Sequence, residues 1–204
     1  MKLNRILASV TVASTLLSAG AMAADGTITF NGTVTASACT ALTGVSVGGG
    51  APAVNQTINL PAVPAPALNV AAGTYLGQTA FKISLTGCAS VGALSNVRAI
   101  FDTPFAPATD AYVAGNTAPS GAADVAVAIL TPAGAQIDMN GGTAVAPGYT
   151  LPSTAGAIDM DFVAAYKSLS TSVTAGPVWG VVLGCCAVVR WLRNCWPFNC
   201  HCGF

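Results

Sequence analysis

Short stretches in which apolar and polar residues alternate, separated by glycine, proline and asparagine, recur along this chain and restrict it to β-structure. In TAFKISLTGC, Phe81, Ile83 and Leu85 alternate with Lys82 and Ser84, the period-two pattern of a strand with one buried face. AIDMDFVAAYK repeats it, with Ile158, Met160 and Phe162 set against Asp159 and Asp161. GTITFNGTV, QTINLP, NVRAIFD, ADVAVAILT and AQIDM read as further strands, and loops such as VGGGAPA, PAVPAPA and APSGAAD separate them. Every acidic residue is an aspartate (Asp25, Asp102, Asp110, Asp124, Asp138, Asp159, Asp161) and glutamate is absent, while Thr, Val and Ala dominate. That composition favours strands, and no helix longer than a turn or two is expected. Short strands punctuated by turns predict an all-β sandwich or barrel.

The N-terminus has a different character. Lys2 and Arg5 precede the apolar run ILASVTVASTLLSAG, which ends in Ala21-Met22-Ala23. A basic start, a short apolar middle and small residues at the cut describe a secretory signal peptide; the run is shorter than the ~20 residues a membrane span needs. Residues 1–23 are therefore expected to be a leader, with Ala24 as the first mature residue. The remainder has the length of one ordinary domain. Only 7% of residues are charged and 53% are hydrophobic, so there is no basic patch to neutralise nucleic-acid phosphates. So apolar a surface suggests a protein meant to be covered by copies of itself.

Cysteine usage divides the chain. Cys39 and Cys88 stand alone in the main body, whereas Cys185, Cys186, Cys195, Cys200 and Cys202 crowd into the end. After export to an oxidising compartment, the two lone cysteines most simply form one disulfide. Closing a loop of that length stabilises by about 4 kcal/mol in the chain-entropy model.

The opening strand raises a question of partners. Asn31-Gly32 is a good hairpin-turn dipeptide, yet Ile28, Phe30, Gly32 and Val34 hold one period of two straight through it, and so small a hairpin is marginal on its own. One continuous strand is the better reading, with Gly32 where a side chain would not fit.

In their order, GTITFNG after the leader, Cys39, LPAV, FKISLTGC ending in Cys88, and DFVAAYKS followed by TAGPV resemble the major-subunit family of chaperone–usher, type 1-like fimbriae. The resemblance spans residues 24 to 178. It implies an incomplete immunoglobulin-like β-sandwich that lacks its last strand, which is lent first by a periplasmic chaperone and then, at an outer-membrane usher, by the N-terminal extension of the next subunit. Carried over by position, residues 24–36 are the donor-strand extension, Ile28, Phe30, Gly32 and Val34 are its groove-filling face, and Cys39 with Cys88 is the family disulfide. Residues 37–178 are the pilin domain. The implied product is a structural subunit of a surface fimbria that polymerises head-to-tail and supports cell adhesion. Adding a strand to a sheet edge is a physically sound joint, and because strand and groove are different surfaces the contact propagates.

Other functions fit less well. The sole histidine, His201, lies near the end, no Ser/His/Asp set can be assembled in the body, and Asp159 and Asp161 read as solvated strand-face acids; no catalytic residue or cofactor is expected. A tip adhesin, a minor subunit that binds a receptor, usually carries a lectin domain before the pilin domain, and here the pilin pattern starts at Ala24. Loops that touch a host-surface receptor are compatible with the sequence but carry no signal in it.

The end, WGVVLGCCAVVRWLRNCWPFNCHCGF, departs from the family. All three Trp are here (Trp179, Trp191, Trp196) and no acid. Cys195, Cys200, His201 and Cys202 are soft metal ligands, but their spacing fits no standard zinc knuckle, so no metal is expected. The segment from Pro177 to Val189 is too short to span a membrane. Residues 179–204 read most simply as out-of-frame translation of a pilin ending. Alternation in Val178, Gly180 and Val182 is expected to stop there, so that the closing strand fails and the chain, as a non-assembling pilin, incorporates poorly into filaments.

Overall fold

The computed structural model describes residues 41–190 together with Cys39; the leader, the 24–36 strand and residues 191–204 lie outside the described residues. Nine strands and one helical turn form among those described: β1 (Ala41–Val47), α1 (Ala65–Leu68), β2 (Tyr75–Cys88), β3 (Leu94–Asp102), β4 (Ala114–Gly115), β5 (Val125–Leu130), β6 (Gln136–Ile137), β7 (Tyr149–Thr150), β8 (Gly156–Ser168) and β9 (Leu183–Arg190). One sheet runs β1-β2-β8-β5-β4 with β6 beside β5, and the other runs β7-β3-β9. Every pairing is antiparallel.

The two alternating segments find each other. In the β2–β8 ladder Phe81 lies opposite Phe162, Ile83 opposite Met160 and Leu85 opposite Ile158, so both apolar faces point the same way and are buried. Val97, Ala99 and Phe101 of β3 cover them from the second sheet. The Phe101 ring meets Phe162 edge-on at 5.2 Å, a favoured aromatic geometry. Two facing sheets sharing one apolar layer make an immunoglobulin-like sandwich.

The polar faces of the same strands look outward. Lys82 lies between Asp159 (3.2 Å) and Asp161 (3.8 Å), and Ser84 donates to Asp159 at 2.6 Å. The Ser84 hydrogen bond, the largest single cause, together with the hydrogen bond and charge of Lys82, holds the Asp159 carboxyl below its ordinary range. A carboxylate so settled as the anion is the opposite of a group poised to donate a proton.

Elsewhere the half-buried Lys167 Nζ donates to Asp110 and to Gln136, each at 2.6 Å, tying the 104–113 loop and β6 to β8.

Two expectations change. QTINLP is irregular rather than a strand: Ile58 and Leu60 still pack against the core, but no neighbouring strand offers this stretch a ladder, and Pro61 ends it. At the other end the ladder does not stop with the alternation. β9 pairs with β3 from Leu183 opposite Asp102 to Arg190 opposite Leu94, because β3 presents an edge along its whole length and backbone pairing does not require alternating side chains. β1, which was not anticipated, pairs with β2 through a bulge at Gly44. There φ is +127°, and a Cβ would sit 2.5 Å from the Ala53 backbone.

Candidate functional site

β9 is an edge strand of its sheet, and between it and the 54–60 segment, which follows the Val45–Ala53 bridge on the outer side of β1, the sandwich is open. The opening is a groove of about 620 Å³. Phe81, Ile83, Phe101 and Ile129 form its floor, and Val45, Ile58 and Leu60 line the side of the first sheet. The opposite wall is the last segment of the described chain, where Val178, Trp179, Gly180, Val182, Gly184 and Cys186 line the groove. Val181 and Leu183 are exposed and do not line it. Period-two alternation thus continues past Val182, in glycine and cysteine rather than in larger apolar residues.

Several hydrogen bonds hold the wall in place, among them those from Thr117 N–H to the Trp179 carbonyl (2.9 Å) and from Ala122 N–H to the Pro177 carbonyl (3.0 Å). Asn116 Nδ2 donates to the carbonyls of Ala122 (2.8 Å) and Pro177 (2.9 Å), while its Oδ1 accepts from the N–H groups of Ala118 (3.0 Å) and Trp179 (2.9 Å). Thr103 Oγ1 donates to the Val181 carbonyl at 2.7 Å. Gly180 lets the segment lie close over β5, since a Cβ there would stand 2.9 Å from Val127. Gly184 leaves space instead: the nearest atom to a Cβ is on the Phe101 ring at 3.8 Å.

Chemically the groove is an apolar trough with a backbone edge, suited to an extended chain that brings alternate apolar side chains and its own N–H and C=O groups. It carries no catalytic set. Its one thiol among the described residues, Cys186, is pushed up to about 11 by burial, which makes it a poor nucleophile.

Cys39 and Cys88 are joined in a disulfide beside the start of β1, where Ala41 pairs with Thr86. Ile28, Phe30, Gly32 and Val34 lie outside the described residues, as do Cys195, Cys200, His201 and Cys202. Asn116, Gly180 and Gly184 were not singled out as site residues from the sequence. Only the continued alternation from Val178 could have pointed to the two glycines, and nothing local marks Asn116.

An incomplete-edged sandwich of this kind is the fold of pilus subunits. The chain superimposes on the P pilus rod subunit PapA with a TM-score of 0.52 at 16% identity, over 71% of this chain and 99% of that one. A subunit from the structure of a chaperone–usher pilus gives 0.51 at 17% identity, over 89% and 100%. The profile of the family described as "Fimbrial protein" matches residues 28–180, and the chain belongs to that family. It is similar to the F17 fimbrial protein of Escherichia coli, 36% identical over 134 residues, covering 63% of this chain and 66% of that protein. It is also similar to the major fimbrial subunit SMF-1 of Stenotrophomonas maltophilia, 46% identical over 70 residues, covering 34% and 37%. The matched region thus spans less than two thirds of the length of these relatives. The family match ends at residue 180, just where the composition shifts to Trp and Cys.

Proposed function

We propose that this chain is a structural subunit of a surface fimbria and polymerises head-to-tail by donor-strand exchange, supporting adhesion of the cell that carries it. The observation that supports this reading is the open groove along β9, with an apolar floor and the edge of β9 beside it. An edge of that kind is a hazard unless another strand covers it. In this reading the 24–36 segment of a second copy enters the groove, with Ile28, Phe30 and Val34 seated on the floor and Gly32 at a point of close approach. Before assembly a periplasmic chaperone covers the same edge, and an outer-membrane usher is the site of exchange.

The test is made with a chaperone co-expressed and with an alternating apolar ending in place of residues 191–204, scoring heat-resistant ladders on a gel. Gly32→Leu is expected to abolish the ladders while leaving the subunit's own sandwich intact, because the added side chain clashes in a neighbour's groove. Phe30→Ala is expected to weaken the joint by about 3 kcal/mol, the scale of a core truncation. Ladders unchanged by Gly32→Leu would falsify the assignment.

A further inference from the structure

The outward side of β3 holds two charges with nothing to meet. Val97, Ala99 and Phe101 are buried in the core, so Arg98, Ile100 and Asp102 stand on the opposite face of the strand. Among the described charged side chains, Lys82 is paired with Asp159 and Asp161, and Lys167 with Asp110. Asp124 accepts from Ser170, and Asp138 from Gln136. Only the side chains of Arg98 and Asp102 have neither an ion pair nor a hydrogen bond among the described residues. Arg98 Nε is moreover buried without an acceptor, a state that costs stability and is uncommon in native proteins. The two residues are four positions apart on one strand, about 13 Å, too far to meet each other.

We propose that this face is a contact between two copies of the chain, packed about a twofold axis through Ile100, so that Arg98 of each copy pairs with Asp102 of the other.

The spacing of the two charges carries this. In an isologous contact the same patch serves both copies. A twofold axis normal to the face at Ile100 brings position 98 of one strand over position 102 of the other, twice, and Ile100 meets Ile100. Facing sheets lie about 10 Å apart with their strands nearly aligned, a gap that a long arginine and a short aspartate side chain span together. Leu183 lies opposite Asp102 in the β3–β9 ladder and is exposed, so it shares this side. The apolar stem of the incoming Arg98 covers it. Val181, also exposed, extends the apolar margin. An ion pair in this setting must outweigh the loss of water from both groups. Because Arg98 Nε is already out of water in the single subunit, part of that loss precedes the meeting of the copies.

The alternative arrangement, with the two strands running in the same direction, sets Arg98 over Arg98 and Asp102 over Asp102 and is opposed by like charge. The contact uses the side of β9 that faces away from the groove, since Val182 and Gly184 line the groove and Leu183 does not. It is therefore independent of the donor-strand reading and compatible with it.

The experiment measures self-association of the full chain by sedimentation equilibrium, unaltered and as Arg98→Glu, Asp102→Arg and the double exchange Arg98→Glu/Asp102→Arg. Each single reversal sets like charges against each other at both pairs and is expected to weaken the contact at least about 100-fold. The double exchange restores opposite charges and should return the affinity to within about threefold of the unaltered chain. Head-to-tail association through the groove is common to all four forms and does not produce this pattern. An unaltered chain that stays monomeric, single reversals without effect, or a double exchange that fails to recover each overturns the proposal and leaves the face to a different partner. Should a single variant fail to fold, the unaltered chain decides. Carbodiimide coupling at the Asp102 carboxyl is expected to slow as protein concentration rises, with the exposed Asp124 unchanged as an internal control, and equal reactivity of Asp102 at all concentrations refutes the contact.

Discussion

At the scale of single residues, the outer face of the β2–β8 ladder offers a direct reading of how neighbours set a charge. Asp159 accepts a 2.6 Å hydrogen bond from Ser84 and a 3.2 Å bond from Lys82, and its pKa is lowered from 3.8, with the Ser84 bond as the largest cause. A carboxyl whose folded pKa is depressed adds stability above its unfolded value, and that contribution is lost as pH falls through the folded value. Ser84→Ala should therefore raise the Asp159 pKa toward 3.8, and NMR titration of the side-chain carboxyl checks it; an unmoved pKa would mean that Lys82 alone sets the charge. The effect on overall stability should be small, because both partners of the ion pair are well exposed and water screens them. That Asp159 and Lys82 fall on the polar face of their strands was legible from alternation alone. The contacts of Asp159 with Ser84 and Lys82 depended on the register between β2 and β8, which alternation does not specify.

At the scale of elements, the strands divide by how much of their identity is local. β2 and β8 were legible because Phe81, Ile83, Leu85, Ile158, Met160 and Phe162 each record one-sided burial in the order of their own residues, and β5 because VAVAIL is a short Val/Ile-rich run, buried on both faces. β1 was hidden because Gly44 interrupts the pattern at a bulge, where backbone contact with Ala53 takes the place of a side chain. QTINLP has strand-like residues yet no ladder, since a strand requires a partner as well as a propensity. β9 is the converse: LGCCAVVR shows no clean alternation of polarity, and the edge of β3 makes it a strand. The segment leading into β9 depends on Asn116, whose amide is saturated by four hydrogen bonds to loop and wall. Asn116→Ala leaves the Ala122 carbonyl and the N–H groups of Ala118 and Trp179 to find other partners, while the Pro177 carbonyl keeps its bond from the Ala122 N–H, and should cost about 2 kcal/mol. It should also speed hydrogen exchange at Trp179 and along the groove wall relative to β2, whereas a uniform change across the molecule would show that Asn116 acts on the fold at large.

At the scale of the whole molecule, the Cys39–Cys88 disulfide closes a loop with a sequence separation of 49, and its main effect is on the unfolded chain. Replacing both cysteines by serine should lower unfolding free energy by about 4 kcal/mol in the chain-entropy model, measured by denaturant titration; a loss near zero would show that the unfolded chain is already restricted in that region. The sequence by itself determined the all-β class, the two strands that build the core and the pair of cysteines that staples it. These follow from period-two burial and from composition, which are properties of residues close together in the chain. It also placed a family resemblance over residues 24 to 178, and the fimbrial family match over 28–180 agrees with it. Only the tertiary structure decided which edges remain unpaired, that β9 runs on to Arg190 beside β3, and that an apolar groove with Gly184 and Cys186 in its wall lies along that strand. A gap between two sheets has no local signature: it is made by strands distant in sequence, and it exists only once those strands have paired into their sheets.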